Sequence, residues 1–136
     1  MFRHGDLMLI PASVPEGAAP QNHTILAWGE ATGHHHTLEA LQLSGEYMVC
    51  DRKETGEVFP HYITGADLLK RYGQQYVESD AAPVLYERDG KLYFRASGTS
   101  IVKHQEHGTI VVPPGEYHNR IQREYQPGEV PRSVID

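Results

Sequence analysis

Val84-Leu85-Tyr86-Glu87-Arg88-Asp89-Gly90-Lys91-Leu92-Tyr93-Phe94 is the stretch that decides the fold class. Two apolar–aromatic runs flank Asp89-Gly90, the dipeptide that suits a two-residue hairpin turn because its central positions need positive φ. Reading outward, the same pattern of short alternating segments cut by Gly, Pro and Asp recurs on both sides. It predicts strands over Ser100 to Gln105, Thr109 to Val112 and Tyr117 to Tyr125, and, upstream, over Leu7 to Ile10, Thr24 to Trp28, His34 to Leu43 and Glu46 to Cys50. The middle reads differently. Asp51 to Pro60 is polar and loop-like, and Thr64-Gly65-Ala66-Asp67 resembles a capping box with Asp in place of Glu. Leu68, Leu69 and Tyr72 then share one face of a short helix that Gly73 stops. The expectation is a single all-β domain over residues 1–136, a small barrel or jelly roll, with one short helix in an insertion at about 51–82. Closure is expected because it protects strand edges.

Composition narrows the function classes. The chain has 136 residues, 39% hydrophobic and 22% charged, which suits a folded domain rather than a disordered one. No apolar run approaches the ~18 residues of a spanning helix, and Met1 to Asp6 does not read as a secretory signal. The single Cys50, in an apolar strand and expected in the core, excludes an internal disulfide and fits a reducing compartment. A cytoplasmic, membrane-free protein is expected. Twelve Lys and Arg against eighteen Asp and Glu give a net charge of −6, which opposes general nucleic-acid binding because that needs a positive field. There is no Gly-rich phosphate loop and no Ser or Cys nucleophile motif. The anomaly is nine histidines.

Their spacing points to metal. Alternate residues of a strand share a face, so His34 and His36 point together with Leu38 and Ala40, and His35 points away. Two imidazoles about 7 Å apart along a strand can converge on one ion. A second cluster, His104-Gln105-Glu106-His107-Gly108, ends a strand, and a tight turn there brings His104 and His107 to one centre. With the first pair they make a four-nitrogen set, or three ligands and one orienting residue. On the strand from Tyr117 to Tyr125, Tyr117, Ile121 and Tyr125 share one face and His118, Arg120, Gln122 and Glu124 the other; the simplest reading is an apolar inner face and a solvated outer one, the alternative a polar face turned to the cavity with Arg120 recognising an anion. Glu30 and Glu106 are the candidate catalytic acid–base groups, each close in sequence to a proposed ligand; the other role for such carboxylates is fixing an imidazole tautomer. His4 and Asp6 can do this for each other. His23 and His61 read as surface residues.

Two resemblances bear on the ligand set. Pro113-x-Gly115 followed by His118 resembles the second motif of cupins, and His34-x-His36 the first. That resemblance implies a β-barrel metal site formed by His34, His36, Glu39 and His118. A wider match runs through His4-Gly5-Asp6, Gly29-Glu30-Ala31-Thr32-Gly33-His34-x-His36, His104-x-Glu106-His107-Gly108, Pro114-Gly115-x-Tyr117 and Gln122-Arg123-Glu124-Tyr125. It is similar to a group of short uncharacterised bacterial and phage proteins. This implies no activity, but it makes His34, His36, His104 and His107 part of a shared pattern and favours that set.

The resulting expectation is a small protein holding one divalent transition metal, with Zn or Fe foremost among the ions that imidazole suits. It would act as a metal-dependent enzyme on a small molecule if three His leave an open position. The alternative is a phage-related binding or structural module if four His close the site. A metal-free, pH-sensing module is the third reading. Expected partners are a small-molecule ligand and further copies of the chain.

Overall fold

The computed structural model describes residues 1–5, 7–28, 35–104, 107–121, 123–124 and 132–133. The strands are β1 (Phe2–His4), β2 (Leu7–Pro11), β3 (Ala19–Pro20), β4 (Ile25–Trp28), β5 (His35–Ala40), β6 (Glu46–Arg52) and β7 (Val58–Thr64). Helix α1 (Gly65–Tyr72) follows, then β8 (Val84–Arg88), β9 (Lys91–Ala96), β10 (Ser100–Lys103), β11 (Ile110–Val112), β12 (Gly115–Ile121), β13 (Arg123–Glu124) and β14 (Arg132–Ser133). The chain is all-β with one short helix, and every described strand pairing is antiparallel.

The Asp89-Gly90 hairpin forms at its expected residues. Asp89 (φ 52°) and Gly90 (φ 75°) make the two-residue turn, and Arg88 pairs with Lys91 across it. That hairpin lies within a six-stranded sheet of order β1-β2-β12-β9-β8-β3. A second sheet, of order β11-β10-β5-β4, stacks on it. The residues between them are Leu7, Leu9, Leu85, Phe94 and Tyr117 from the first sheet and Leu38, Val102 and Val112 from the second, one contiguous core. Leu26 of β4 joins it.

The second sheet is buried on its other face as well. Ile101 and Val111, one residue out of phase with Val102 and Val112, pack with Leu41, Tyr47, Val49 and Leu68. The third layer is therefore the β6–β7 hairpin with α1, and β10 is buried on both faces, as its continuous Ile101-Val102 apolar character requires. Helix α1 starts and stops where the sequence predicts. The Thr64 hydroxyl accepts from the Asp67 N–H at 3.2 Å, and Gly73, at φ 64°, ends the helix with its N–H donating to the Lys70 carbonyl.

Some expectations are revised. No sheet among the described residues closes into a barrel; edges are kept short instead, three residues in β1 and two in β3, which limits strand addition by other means. Val58 to Pro60 belongs to a strand rather than a loop. Its alternation, half-buried at Phe59, His61 and Ile63, is supported by a full ladder to β6, with Pro60 opposite Cys50 in a two-stranded sheet, where proline is tolerated. Cys50 is half-buried, not core; it shares the outer side of β6 with Met48, whose sulfur lies 3.6 Å from the thiol. Ala40 is exposed although it shares the phase of Leu38, because β5 runs out of the core at its end. No helix among the described residues is long and apolar enough to cross a membrane.

Candidate metal centre

Four imidazoles gather at the seam between the two stacked sheets. His4 ends β1 of the six-stranded sheet, and its ring is buried with the inward-facing Leu7 that it pairs with. His36 comes from β5 of the four-stranded sheet, on the buried face with Leu38, and is 0% exposed. His104 follows β10, and His107 lies in the connection to β11. Ring centroids are separated by 4.9 Å for His4–His36, 4.6 Å for His36–His104, 4.7 Å for His104–His107 and 5.7 Å for His4–His107. The two remaining pairs, His4–His104 and His36–His107, are both 6.2 Å apart.

The backbone around the rings is held from the third layer. The Thr109 N–H donates to the Met48 carbonyl of β6 at 2.8 Å, and the Tyr72 hydroxyl of α1 donates to the Thr109 carbonyl at 3.2 Å. On the opposite side Gly5 leaves room for the rings. It adopts φ 64°, and a Cβ there would lie 2.8 Å from His107 Nε2 and 3.4 Å from His36 Cε1.

Hydrogen bonding fixes proton positions. His4 Nε2 is 2.7 Å from the Gly108 carbonyl, which only accepts, so Nε2 carries a proton. Burial, then the neighbouring charge of His36, pushes the His4 pKa down from 6.5 to about 3 despite that carbonyl, with His107 and His104 adding to the effect. His4 is thus neutral near pH 7, with a bare Nδ1 that accepts from His36 Nδ1–H at 2.7 Å. The His107 N–H makes a long contact, 3.4 Å, to His104 Nδ1. Among the described residues, buried His107 Nε2 has no hydrogen-bond partner.

This donor set suits a divalent transition metal in composition: four imidazoles, with the His4 ring already held in a ligand tautomer by a carbonyl on its far nitrogen. Its present spacing is that of proton sharing. Ligand nitrogens about 2.0–2.1 Å from a tetrahedral ion stand roughly 3.3 Å apart, wider than the 2.7 Å between the His4 and His36 Nδ1 atoms. Accordingly, among the described residues no three His, Cys, Asp or Glu side chains stand in the arrangement of an assembled metal site. Coordination through the Nδ1 atoms of His4 and His36 requires His36 to give up its Nδ1 proton and those two atoms to part by about half an ångström, and His104 to leave its long amide contact or change tautomer.

Of the sequence candidates, the structure brings together His36, His104 and His107. His34, Glu30 and Glu106 lie outside the described residues, as does Asp6, the expected partner of His4. The set carried by the cupin resemblance is not assembled. His118 is on the outer face of β12, opposite in phase to buried Tyr117 and Asn119, and stacks on Tyr93 with centroids 4.9 Å apart. Glu39 is on the exposed side of β5, bridged to Lys103 at 2.9 Å. Both follow from strand parity: one residue from a buried position, a side chain faces the other way. His61 pairs with Asp51, which also binds Arg71.

Sequence reasoning missed His4 as a member of the cluster. The signal was present in His4-Gly5, a histidine followed by a glycine, as in His107-Gly108. A family model described as a domain of unknown function (DUF8820) matches residues 3–70, a span that holds His4 and His36 but not His104 or His107. No curated protein and no solved structure matches the chain.

Proposed function

The chain belongs to this family, a domain of unknown function, and from that premise we propose that it is a divalent-metal-binding β protein whose ion is held by His4, His36, His104 and His107. The observation that carries the reading is the convergence of four imidazoles from three separate parts of the chain, every pair of centroids within 6.2 Å. A closed four-nitrogen set favours a structural or binding role, since chemistry needs an open position. The ion would tie β1 of one sheet to β5 of the other and to the β10–β11 connection. What it supplies when bound is positive charge and fixed geometry. The protein residues hold the rings: the Gly108 carbonyl sets the His4 tautomer, and Thr109 and Tyr72 anchor the loop.

A metal-dependent enzyme is the second reading. It is favoured by His107, which is only half-buried and so is the ring best placed to yield a position, and by Glu106 beside it in the chain. Ligand count separates the two. Purified protein is expected to contain one equivalent of transition metal by elemental analysis, and Co(II)-substituted protein to show the intense visible absorption of a tetrahedral site. His4→Ala, His36→Ala, His104→Ala and His107→Ala should each lose most of the metal while circular dichroism confirms folding, and His118→Ala should retain it. Metal absent from folded wild-type protein even after incubation with Zn(II) or Fe(II) would sink the reading. Weak, five- or six-coordinate Co(II) bands, with His107→Ala still loaded, would favour the enzyme.

A further inference from the structure

Apart from the imidazole cluster, a pocket of about 510 Å³ opens where β9 begins and β12 ends. That volume lies within the roughly 300–1,000 Å³ of small-molecule sites. Its apolar lining is Leu26, Leu92 and Ile121, and Lys91, Asn119 and Arg120 supply the polar part. Asn119 is 8% exposed, and both polar atoms of its side chain are buried with no hydrogen-bond partner among the described residues. A buried amide in that state is costly and is satisfied in most folded proteins. The cations are equally unspent: among the described residues neither Lys91 nor Arg120 has an ion-pair partner. Both act on His118, which also lines the pocket; burial first, then the charges of Lys91 and Arg120, hold its pKa below the ordinary value. In a chain of net charge −6, two exposed cations at the rim of one apolar-floored pocket are a local reversal of sign.

We propose that this pocket binds a small organic monocarboxylate with an apolar tail. The tail lies against Leu26, Leu92 and Ile121, and Lys91 and Arg120 attract the carboxylate. A side-chain rotation of Asn119 lets its amide donate to a carboxylate oxygen, giving the buried group the partner it lacks. The proposed carboxylate contacts involve none of the four imidazoles.

Hexanoate is a suitable probe, titrated into ¹⁵N-labelled full-length protein, with hexanol as the uncharged control and inorganic phosphate as the anion without a tail. Hexanoate should give saturable shifts of the Asn119 side-chain amide and of amides along residues 90–92 and 118–121. Hexanol and phosphate should bind at least ten-fold more weakly. The surface variants Lys91→Gln and Arg120→Gln, which leave the core untouched, should each weaken hexanoate several-fold, and together abolish saturation. Absence of saturable shifts at 10 mM hexanoate would overturn the proposal. So would equal binding of hexanol, which makes the site merely apolar, or tighter binding of phosphate, which makes it an inorganic-anion site.

Discussion

At the residue scale the imidazole cluster depends on what sits beside it as much as on the rings. Gly5 occupies a left-handed conformation and packs against two of the four. Gly5→Ala is expected to be strained twice: roughly 1 kcal/mol for a side chain at positive φ, and more because the new methyl would stand 2.8 Å from His107 Nε2. Melting measurements should show destabilisation of about 2 kcal/mol or more, with metal affinity falling alongside. An Ala variant as stable as wild type, with unchanged metal content, would show that the rings do not close on Gly5. The site residues differ in how readable they were. His36, His104 and His107 are legible in the sequence as histidines close to Leu38 or Gly108, whereas His4 joins them only through the β1–β2 pairing, which sets its ring beside residues 32 and 100 or more positions away.

At the scale of elements, the Asp89-Gly90 hairpin and the capped helix were legible because their causes are local: two positive φ values in one case, a Thr64 cap and a Gly73 stop in the other. Strand β7 was not, because its polar run becomes a strand only once β6 supplies a ladder. Helix α1 matters to the site through packing. Leu68 is fully buried against Ile101 and Val111 of the central sheet, and Tyr72, one turn on, holds the Thr109 carbonyl. Leu68→Ala is expected to cost about 2–5 kcal/mol, the range for a buried Leu truncated to Ala, with a lower denaturation midpoint in urea and faster hydrogen exchange in residues 107–111. A cost below about 1 kcal/mol would mean that the third layer is not packed as described.

For the molecule as a whole, the nine histidines make acid the natural perturbation. His4 is held neutral in the fold, its pKa near 3 against 6.5 when unfolded. Below pH 6.5 the unfolded chain therefore takes up a proton that the folded chain refuses, so stability falls as pH drops from about 6.5 towards 3. Asp51 and Glu116, both held below their usual values, first by the Arg71 side chain and the Val14 N–H respectively, add a smaller loss in the carboxylate range. Urea midpoints of the EDTA-treated protein should drop between pH 7.5 and 5, and His4→Asn should flatten that slope; a midpoint independent of pH across this window would contradict a buried neutral His4. The sequence by itself determined the all-β class, the hairpin, the helix limits and the surplus of imidazoles, since alternation, turn chemistry and capping act over a few residues. Tertiary structure decided that the sheets stack open in three layers, that His118 faces away while His4 turns in, and that four rings meet at one seam. Those outcomes depend on which strands pair and in what register, and a shift of one residue reverses every side chain.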